Sequence, residues 1–122
     1  MRWFALGEWA VAAFPGPRFG SAGLRALVGV PTGALIQTAL KPQGSSTAQL
    51  AEMAYQLALG GIDVIKDDHG LANQTWSPFE ERVTACCAAV AKANSETGKC
   101  VNPPHLTSPQ SRVHEIASWV TG

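Results

Sequence analysis

The 122-residue sequence has no excess of charge of either sign and carries little charge in total. Nine basic residues balance nine acidic ones, and charged residues make up only 15% of the chain. This balance removes the electrostatic basis for binding nucleic acid or an anionic membrane surface, so neither partner is expected. With 46% apolar residues the chain can instead bury a core, and its length fits one globular domain.

Cysteines and long apolar runs are also scarce. The three cysteines, of which Cys86 and Cys87 are adjacent, form neither a disulfide framework nor a CxxC zinc motif. We interpret the adjacent pair as small core residues. The apolar run 9–14 is too short for a secretion signal or for a membrane span, which takes roughly 20 residues. The sequence therefore predicts a cytoplasmic protein.

The apolar pattern divides the chain into three segments. Residues 1–33 form a lead-in segment with prolines, glycines and a short predicted helix over 21–28. Residues 34–98 carry a regular alternation of strand and helix patterns. Residues 99–122 form a tail whose organisation the pattern does not specify.

The middle segment begins with a strand and a helix. The apolar run 34–40 favours a strand that is buried on both faces. The helix is predicted to begin at Ser46, because a serine followed three residues later by Gln49 forms a capping box, and to end at Gly60-Gly61. Its apolar stripe consists of Leu50, Met53, Ala54, Leu57 and Ala58.

A second strand and a second helix follow. Residues 62–68 predict the strand, and in the segment 77–80 a serine cap is followed by proline and then by glutamate at capping-box spacing. Strands joined by helical crossovers of this length run parallel, which predicts an α/β fold. A third strand is expected after Gly98, but Pro103-Pro104 would break a central strand.

Polar side chains gather where the two predicted strands end. Lys41 follows the first strand, while Lys66, Asp67, Asp68 and His69 follow or end the second. Ligands of parallel α/β proteins bind at these carboxyl ends. Because side chains alternate along a strand, Lys66 and Asp68 share one face and Asp67 points to the other. A lysine beside a carboxylate can bind a divalent cation or anchor a phosphorylated substrate, and it can equally be a salt bridge at a strand end.

Asp63 lies within the second strand, on the face where a helix should pack. Because a buried carboxylate needs a partner, we expect a structural hydrogen bond there rather than a catalytic role. His105 and His114 fall in the tail, and we interpret both as surface residues.

Two motifs, which follow each other along the chain in the same order as in the family, resemble the large-subunit superfamily of ribulose-bisphosphate carboxylase (RuBisCO). The run 60–69, GGIDVIKDDH, is similar to the metal-site strand of that family. The run 38–43, TALKPQ, is similar to its first barrel strand, and the segments 14–20 and 23–27 resemble its approach to the barrel. The likeness covers about residues 14–98.

Two departures from the carboxylase pattern favour the RuBisCO-like branch of the family. Gln43 stands where carboxylases have a second lysine, and His69 stands where they have a glutamate. The resemblance implies an α/β fold made of the first two to three strand–helix units of a (β/α)8 TIM-type barrel. It also implies metal-assisted enolisation or isomerisation of a phosphorylated sugar, including sulfur-containing ones, in a parent enzyme that is a homodimer.

The resemblance further implies roles for four residues. Lys66 would react with carbon dioxide to form a carbamate, and this carbamate, Asp68 and His69 would hold Mg²⁺. Lys41 would bind or shuttle protons at the enolate. Lys41 and Lys66 are therefore the candidate catalytic residues, and Lys66, Asp68 and His69 are the candidate metal ligands.

Two other functions remain open. One is a piece of a true carboxylase, against which Gln43 and His69 argue. The other is a non-catalytic small α/β module that binds a partner through its exposed strand edges. Because a complete barrel takes roughly 250 residues, we expect the 122-residue chain to be inactive by itself even if its parent is an enzyme.

Overall fold

The computed structural model describes residues 12–13 and 19–105. The expectations for His114, for the approach motif at 14–18 and for the rest of the tail after His105 lie outside the described residues. The elements with described bounds are α1 (Gly20–Val28), β1 (Gln37–Ala39), α2 (Thr47–Leu59), β2 (Val64–Lys66) and α3 (Phe79–Glu96). Among the described residues, no helix has the length and apolar character that a membrane crossing requires.

The two strands pair in parallel, with Thr38 opposite Ile65. The segment 101–103 extends this pairing on the other side of β2. The Ile65 N–H donates to the Val101 carbonyl with an N···O distance of 2.9 Å, and the Asp67 N–H donates to the Pro103 carbonyl at 3.1 Å. The double proline therefore does not break the ladder, contrary to our expectation, because Pro103 contributes only its carbonyl oxygen and no N–H is needed from it.

The α/β prediction is confirmed for the described part of the chain. Two strand–helix units follow one another in the predicted order, and the strands are parallel. Together with the third paired segment they form an open arrangement. A closed eight-stranded barrel is not seen within residues 19–105, so the shown fold is a mixed α/β unit.

Helix α2 begins as its capping box predicts. The Ser46 Oγ accepts the Gln49 N–H at 3.3 Å, and the Gln49 Oε1 accepts the Ser46 N–H at 2.9 Å. These reciprocal bonds satisfy two N–H groups that the first helical turn leaves free. The buried residues of the predicted stripe are Leu50, Ala54 and Ala58.

The core lies between one face of the sheet and helices α2 and α3, which pack against each other. Its least exposed side chains are Leu40, Leu50, Ile65, Leu71 and Cys86. Cys86 is therefore a core residue, as predicted. Cys87 is exposed, and its assignment to the core was wrong, because consecutive helical residues point about 100° apart.

Helix α3 begins later than its cap motif predicts. Its first residue is Phe79, and no side chain of the cap residue Pro78 contributes a hydrogen bond. Ser77 is fully buried, and its Oγ lies 3.0 Å from the Thr47 Oγ1, so it joins the two helix starts instead of capping α3. The Asn73 Oδ1 accepts the Phe79 N–H at 2.9 Å.

Strand β1 is shorter and more exposed than the apolar run 34–40 predicts. Leu40 is completely buried, whereas Gln37, on the opposite face, is exposed and lines a groove. The two long helices cover only one face of the strands, so the prediction of burial on both faces was wrong for this part of the chain. The other face borders a groove, with α1 on its far side.

Candidate functional site

Lys66 and Asp68 lie side by side where β2 ends. The Lys66 Nζ is 3.7 Å from the Asp68 Oδ1, and the two side chains are 28% and 15% exposed. Ile65 and Asp67, the residues of opposite parity, are buried on the helix side. The alternation predicted from the sequence is therefore confirmed, and it leaves a lysine–carboxylate pair on the face that α2 and α3 do not cover.

The charges around Asp68 keep its carboxyl group ionised. Burial by itself raises the pKa of Asp68, but the charge of His69, the N–H of Gly70 and the charges of Lys41 and Lys66 together outweigh it. The pKa consequently lies below its ordinary value of 3.8. Lys41, which follows β1, is an exposed residue close enough to contribute to this shift. Lys66 thus contacts the Asp68 carboxylate, and the charge of Lys41 acts on the same carboxylate.

His69 stands next to the pair but is open to solvent. Its Nδ1 lies 3.4 Å from the Asp68 Oδ1, and its side chain is 71% exposed. The imidazole of His105, from the segment that follows the third paired strand, lies 6.0 Å away between ring centroids. His105 is partly buried and borders the groove, so its interpretation as a simple surface residue was incomplete.

Asp67 belongs to a buried ion pair that our sequence reasoning missed. The Arg82 Nε donates to the Asp67 Oδ1 at 3.0 Å, and the Arg82 Nη2 donates to the Oδ2 at 3.1 Å. The Arg82 side chain is completely buried. The signal in the sequence is its spacing: Arg82 is three residues after Phe79 and four before Cys86, which places it on the buried face of α3. A charge in that position requires a buried partner.

Gln43 ties together the loops that follow the two strands. Its Nε2 donates to the carbonyl of Gly70, and the Gly44 N–H donates to the Gln74 Oε1 at 3.3 Å. A Cβ at Gly70 would lie 2.8 Å from the Gln43 Nε2 and 3.3 Å from the Asp68 Oδ2, so a side chain at this position would displace the Gln43 amide. The residue that replaces the second lysine of carboxylases therefore has a structural partner here.

Asp63 makes a structural hydrogen bond, as predicted, but it precedes β2 and is only partly buried, so its predicted place inside the strand was wrong. Its Oδ2 accepts the Ile36 N–H at 2.8 Å, and its backbone carbonyl accepts the Val101 N–H at 3.0 Å. It therefore joins the segments on both sides of β2 and lies at the strand's beginning, away from the lysine–carboxylate pair.

A groove of about 660 Å³ lies along the face of the sheet that carries Lys66. Its other wall is formed by α1 and the residue before it. The side chains that define it are Phe19, Leu24, Leu27, Val64, Lys66 and His105. The groove is mainly apolar, so Lys66 is a charged group beside an apolar surface.

The three cysteine thiols are not suited to nucleophilic chemistry at neutral pH. Burial raises the pKa of Cys86 to about 12, and it also raises the pKa of Cys87 and of Cys100. The thiolate is the reactive form, and these shifts suppress it.

The donor groups fit a divalent cation in only one state of Lys66. Within residues 19–105, no three His, Cys, Asp or Glu side chains are placed to hold a metal ion together. Asp68 offers oxygen, which Mg²⁺ prefers, but the ammonium of Lys66 beside it opposes a second cation. A carbamate on Lys66 would remove this positive charge and add oxygen ligands, so the fit depends on that modification.

Comparison with known proteins identifies the source of this arrangement. Residues 21–104 match the family model of the ribulose bisphosphate carboxylase large chain, catalytic domain. The 5-methylthioribulose-1-phosphate isomerase of Rhodospirillum rubrum is 53% identical over 89 residues, which are 72% of this chain and 24% of that protein.

Solved structures agree with the sequence match. The Rubisco-like protein from Rhodopseudomonas palustris superposes with a TM-score of 0.85 at 45% identity, covering 96% of this chain and 34% of that one. A dimeric archaeal Rubisco from Hyperthermus butylicus gives a TM-score of 0.78 at 27% identity, covering 93% and 27%.

The chain spans about a quarter of the length of the curated relatives that it matches. The matched residues include both strand ends and the lysine–carboxylate pair. The resemblance read from the two motifs is therefore confirmed, and the chain belongs to the ribulose bisphosphate carboxylase large-chain family, with RuBisCO-like proteins among its relatives.

Proposed function

We propose that this chain supplies the lysine–carboxylate part of the active site of a RuBisCO-like enzyme that enolises or isomerises a phosphorylated sugar. The observation that carries the proposal is the contact between Lys66 and Asp68 at the carboxyl end of β2, with the charge of Lys41 acting on the same carboxylate. Carboxyl ends of parallel strands are where α/β enzymes bind substrate.

The residues of the chain suit the charge changes of enolisation. Removing a proton beside a carbonyl group leaves negative charge on oxygen, which positive groups at the site stabilise. Lys41 is exposed at the end of β1 and is free to approach that oxygen or a phosphate group. In its neutral form the same amine accepts a proton, so we assign Lys41 to proton transfer at the enolate.

We assign Lys66, as its carbamate, and Asp68 to the binding of Mg²⁺. A cation bound there supplies the positive charge that polarises the substrate carbonyl. Asp68 stays ionised because its pKa is lowered, so it is ready to accept a cation over the physiological pH range. His69 is the third proposed ligand, and its exposed imidazole is adjacent to Asp68.

The substrate class is proposed from relatives as well as from residues. The isomerase of Rhodospirillum rubrum, 53% identical over the matched part, acts by its name on 5-methylthioribulose 1-phosphate. Gln43 bonds the Gly70 carbonyl and carries no charge, so it offers no second ammonium group as carboxylases do. We therefore favour a sulfur-containing sugar phosphate over carbon fixation, and we propose a homodimer like the dimeric archaeal relative.

The test uses a protein of full family length that contains these residues. Exchange of substrate carbon-bound hydrogen with deuterium oxide is followed by proton NMR, with 5-methylthioribulose 1-phosphate and ribulose 1,5-bisphosphate in parallel. We expect exchange of the first compound that requires Mg²⁺ and is abolished by Lys66→Ala. Lys92→Ala is the matched control, because Lys92 lies over the Tyr55 ring on the helix side of the molecule.

Three results would contradict the proposal. Unchanged exchange in Lys66→Ala would remove Lys66 from the site. Incorporation of labelled carbon dioxide into ribulose 1,5-bisphosphate would establish a carboxylase. Binding of a protein partner by the β1 edge without exchange of either sugar would establish a non-catalytic module.

A further inference from the structure

The buried guanidinium of Arg82 joins three points of the chain immediately below the lysine–carboxylate pair. Besides its two bonds to Asp67, its Nη1 donates to the Ser77 carbonyl at 2.8 Å and its Nη2 donates to the Ala72 carbonyl at 2.7 Å. The side chain is completely buried, and that of Asp67 is 4% exposed. One arginine thus ties α3 to the end of β2 and to two places in the loop that follows it.

Stability alone does not account for such a group. Taking two charges out of water costs free energy that their attraction only partly returns, and buried ion pairs can often be replaced by apolar residues without loss. What an apolar pair cannot reproduce is the direction of the contacts. The planar fork of Arg82 holds the Asp67 carboxylate in one orientation while it holds two carbonyl groups at fixed positions.

The position of Asp67 connects the buried Arg82 side chain to the lysine–carboxylate pair. Asp67 stands between Lys66 and Asp68, so fixing its side chain on the helix side turns its two neighbours to the groove side. A shift of one residue would exchange the two faces. The backbone on either side is also held, because the Leu40 N–H donates to the Lys66 carbonyl at 3.0 Å and the Leu71 N–H donates to the Asp68 carbonyl at 3.0 Å.

We propose that Arg82 is a positioning residue for the lysine–carboxylate site: through Asp67 and the loop carbonyls of Ala72 and Ser77 it fixes the end of β2 so that Lys66 and Asp68 lie side by side on the face that α2 and α3 do not cover. This inference rests on the proposed function for the use of the pair, but not for its placement. It can therefore be tested without any turnover.

The test compares the 122-residue chain with the double variant Asp67→Leu/Arg82→Met. This variant replaces the ion pair with apolar side chains of similar size and leaves no buried charge unpaired. Labelling of each lysine by an amine-reactive ester is measured by mass spectrometry, and thermal unfolding is measured in parallel. Lys92 is the internal reference, and Tyr55→Phe, which removes the bond to Glu96 elsewhere on α3, is the matched control variant.

We expect the double variant to unfold cooperatively at a temperature close to that of the wild type, with labelling of Lys66 increased severalfold relative to Lys92. The Tyr55→Phe variant should label like the wild type. Unchanged Lys66 labelling in a folded double variant would overturn the proposal, because Arg82 would then serve the fold only. If labelling of Lys66 increases as expected but the full-length enzyme shows no substrate exchange, the proposed function fails and the positioning role stands.

A measurement on the wild type keeps the proposal testable if the double variant does not fold. Under native conditions, the Leu71 amide, which is bonded to the Asp68 carbonyl, should exchange with solvent only as slowly as the protected amides of α3. Exchange of Leu71 by local opening while α3 stays protected would show that the anchor does not hold the strand end, and would contradict the proposal.

Discussion

The two faces of the small parallel sheet have opposite characters. The helix face is dry and complete, with Leu40, Leu50 and Ile65 at 0% exposure and with the charge of Arg82 paired in its interior. The groove face is open, with Gln37 exposed and Leu27 of α1 at 44% exposure, and it carries Lys66, whose Nζ contacts Asp68. Strand residues of one parity build the fold, and those of the other parity build the site.

This difference shows how a single short strand serves both purposes. In the sequence Lys66-Asp67-Asp68, the middle residue is buried on the helix side, and its two neighbours contact each other away from it. The buried Asp67–Arg82 pair is adjacent in sequence to the partly exposed Lys66–Asp68 pair but is shielded from solvent. Substitutions on the helix face should therefore lower stability, whereas those on the groove face should change the ionisation of the site and leave stability nearly unchanged.

The largest effect is expected for Arg82→Met. Removing the guanidinium leaves the Asp67 carboxylate buried without its partner, which should lower the free energy of unfolding by about 3–5 kcal/mol. Urea denaturation measures the change. Adding Asp67→Leu to the variant should restore most of the loss, and a single variant as stable as the wild type would show that Asp67 has found another partner or solvent.

The next comparison sets one leucine from each face against the other. Leu50→Ala should cost about 3 kcal/mol, because Leu50 is completely buried between the helices and its removal leaves a cavity. Leu27→Ala, at 44% exposure on the groove side, should stay within about 0.5 kcal/mol of the wild type. Equal losses in the two variants would contradict the contrast between a packed face and an open one.

The smallest effect concerns the ionisation of Asp68. Lys66→Met removes one of the charges that lower the Asp68 pKa, so this pKa should rise toward its ordinary value of 3.8. Carbon NMR of the carboxyl group across an acid titration measures it, and Lys92→Met should leave it unchanged. Because the folded pKa is lowered, the stability from Asp68 is fully present above its ordinary pKa. It should be lost as the pH falls through the folded value. An Asp68 pKa that is the same in Lys66→Met as in the wild type would show that the charge of Lys66 does not act on Asp68.

The sequence was sufficient for the features that depend on neighbours along the chain. The capping box of Ser46 and Gln49, the shared face of Lys66 and Asp68, and the hydrogen-bonded role of Asp63 were all predicted correctly. The first two follow from motifs or periodicity within a few residues. The order of strands and helices was predictable for the same reason. For Asp63 the sequence predicted the need for a hydrogen bond but not its partner, Ile36, which lies 27 residues earlier.

Apart from Cys87, which helical geometry turns away from the core, the main errors and omissions concern contacts between residues that are distant in sequence. Ser77 pairs with Thr47, thirty residues earlier, so its local cap motif was not decisive. Pro103 was judged by the N–H that it lacks, whereas its place beside β2 requires only its carbonyl. The partner of Arg82 was missed because helical periodicity places a residue on a face but does not identify the buried group that it contacts.

Carbon-13 NMR of the 122-residue chain with labelled bicarbonate, with and without Mg²⁺, tests directly whether Lys66 and Asp68 form a cation site. We expect a carbamate resonance that strengthens with Mg²⁺, disappears in Lys66→Ala and persists in Lys92→Ala. A chain that forms no Mg²⁺-dependent carbamate, or one whose carbamate persists in Lys66→Ala, would contradict the assignment of Lys66 and Asp68 as a site for a divalent cation. The pair would then be a salt bridge at the end of a strand.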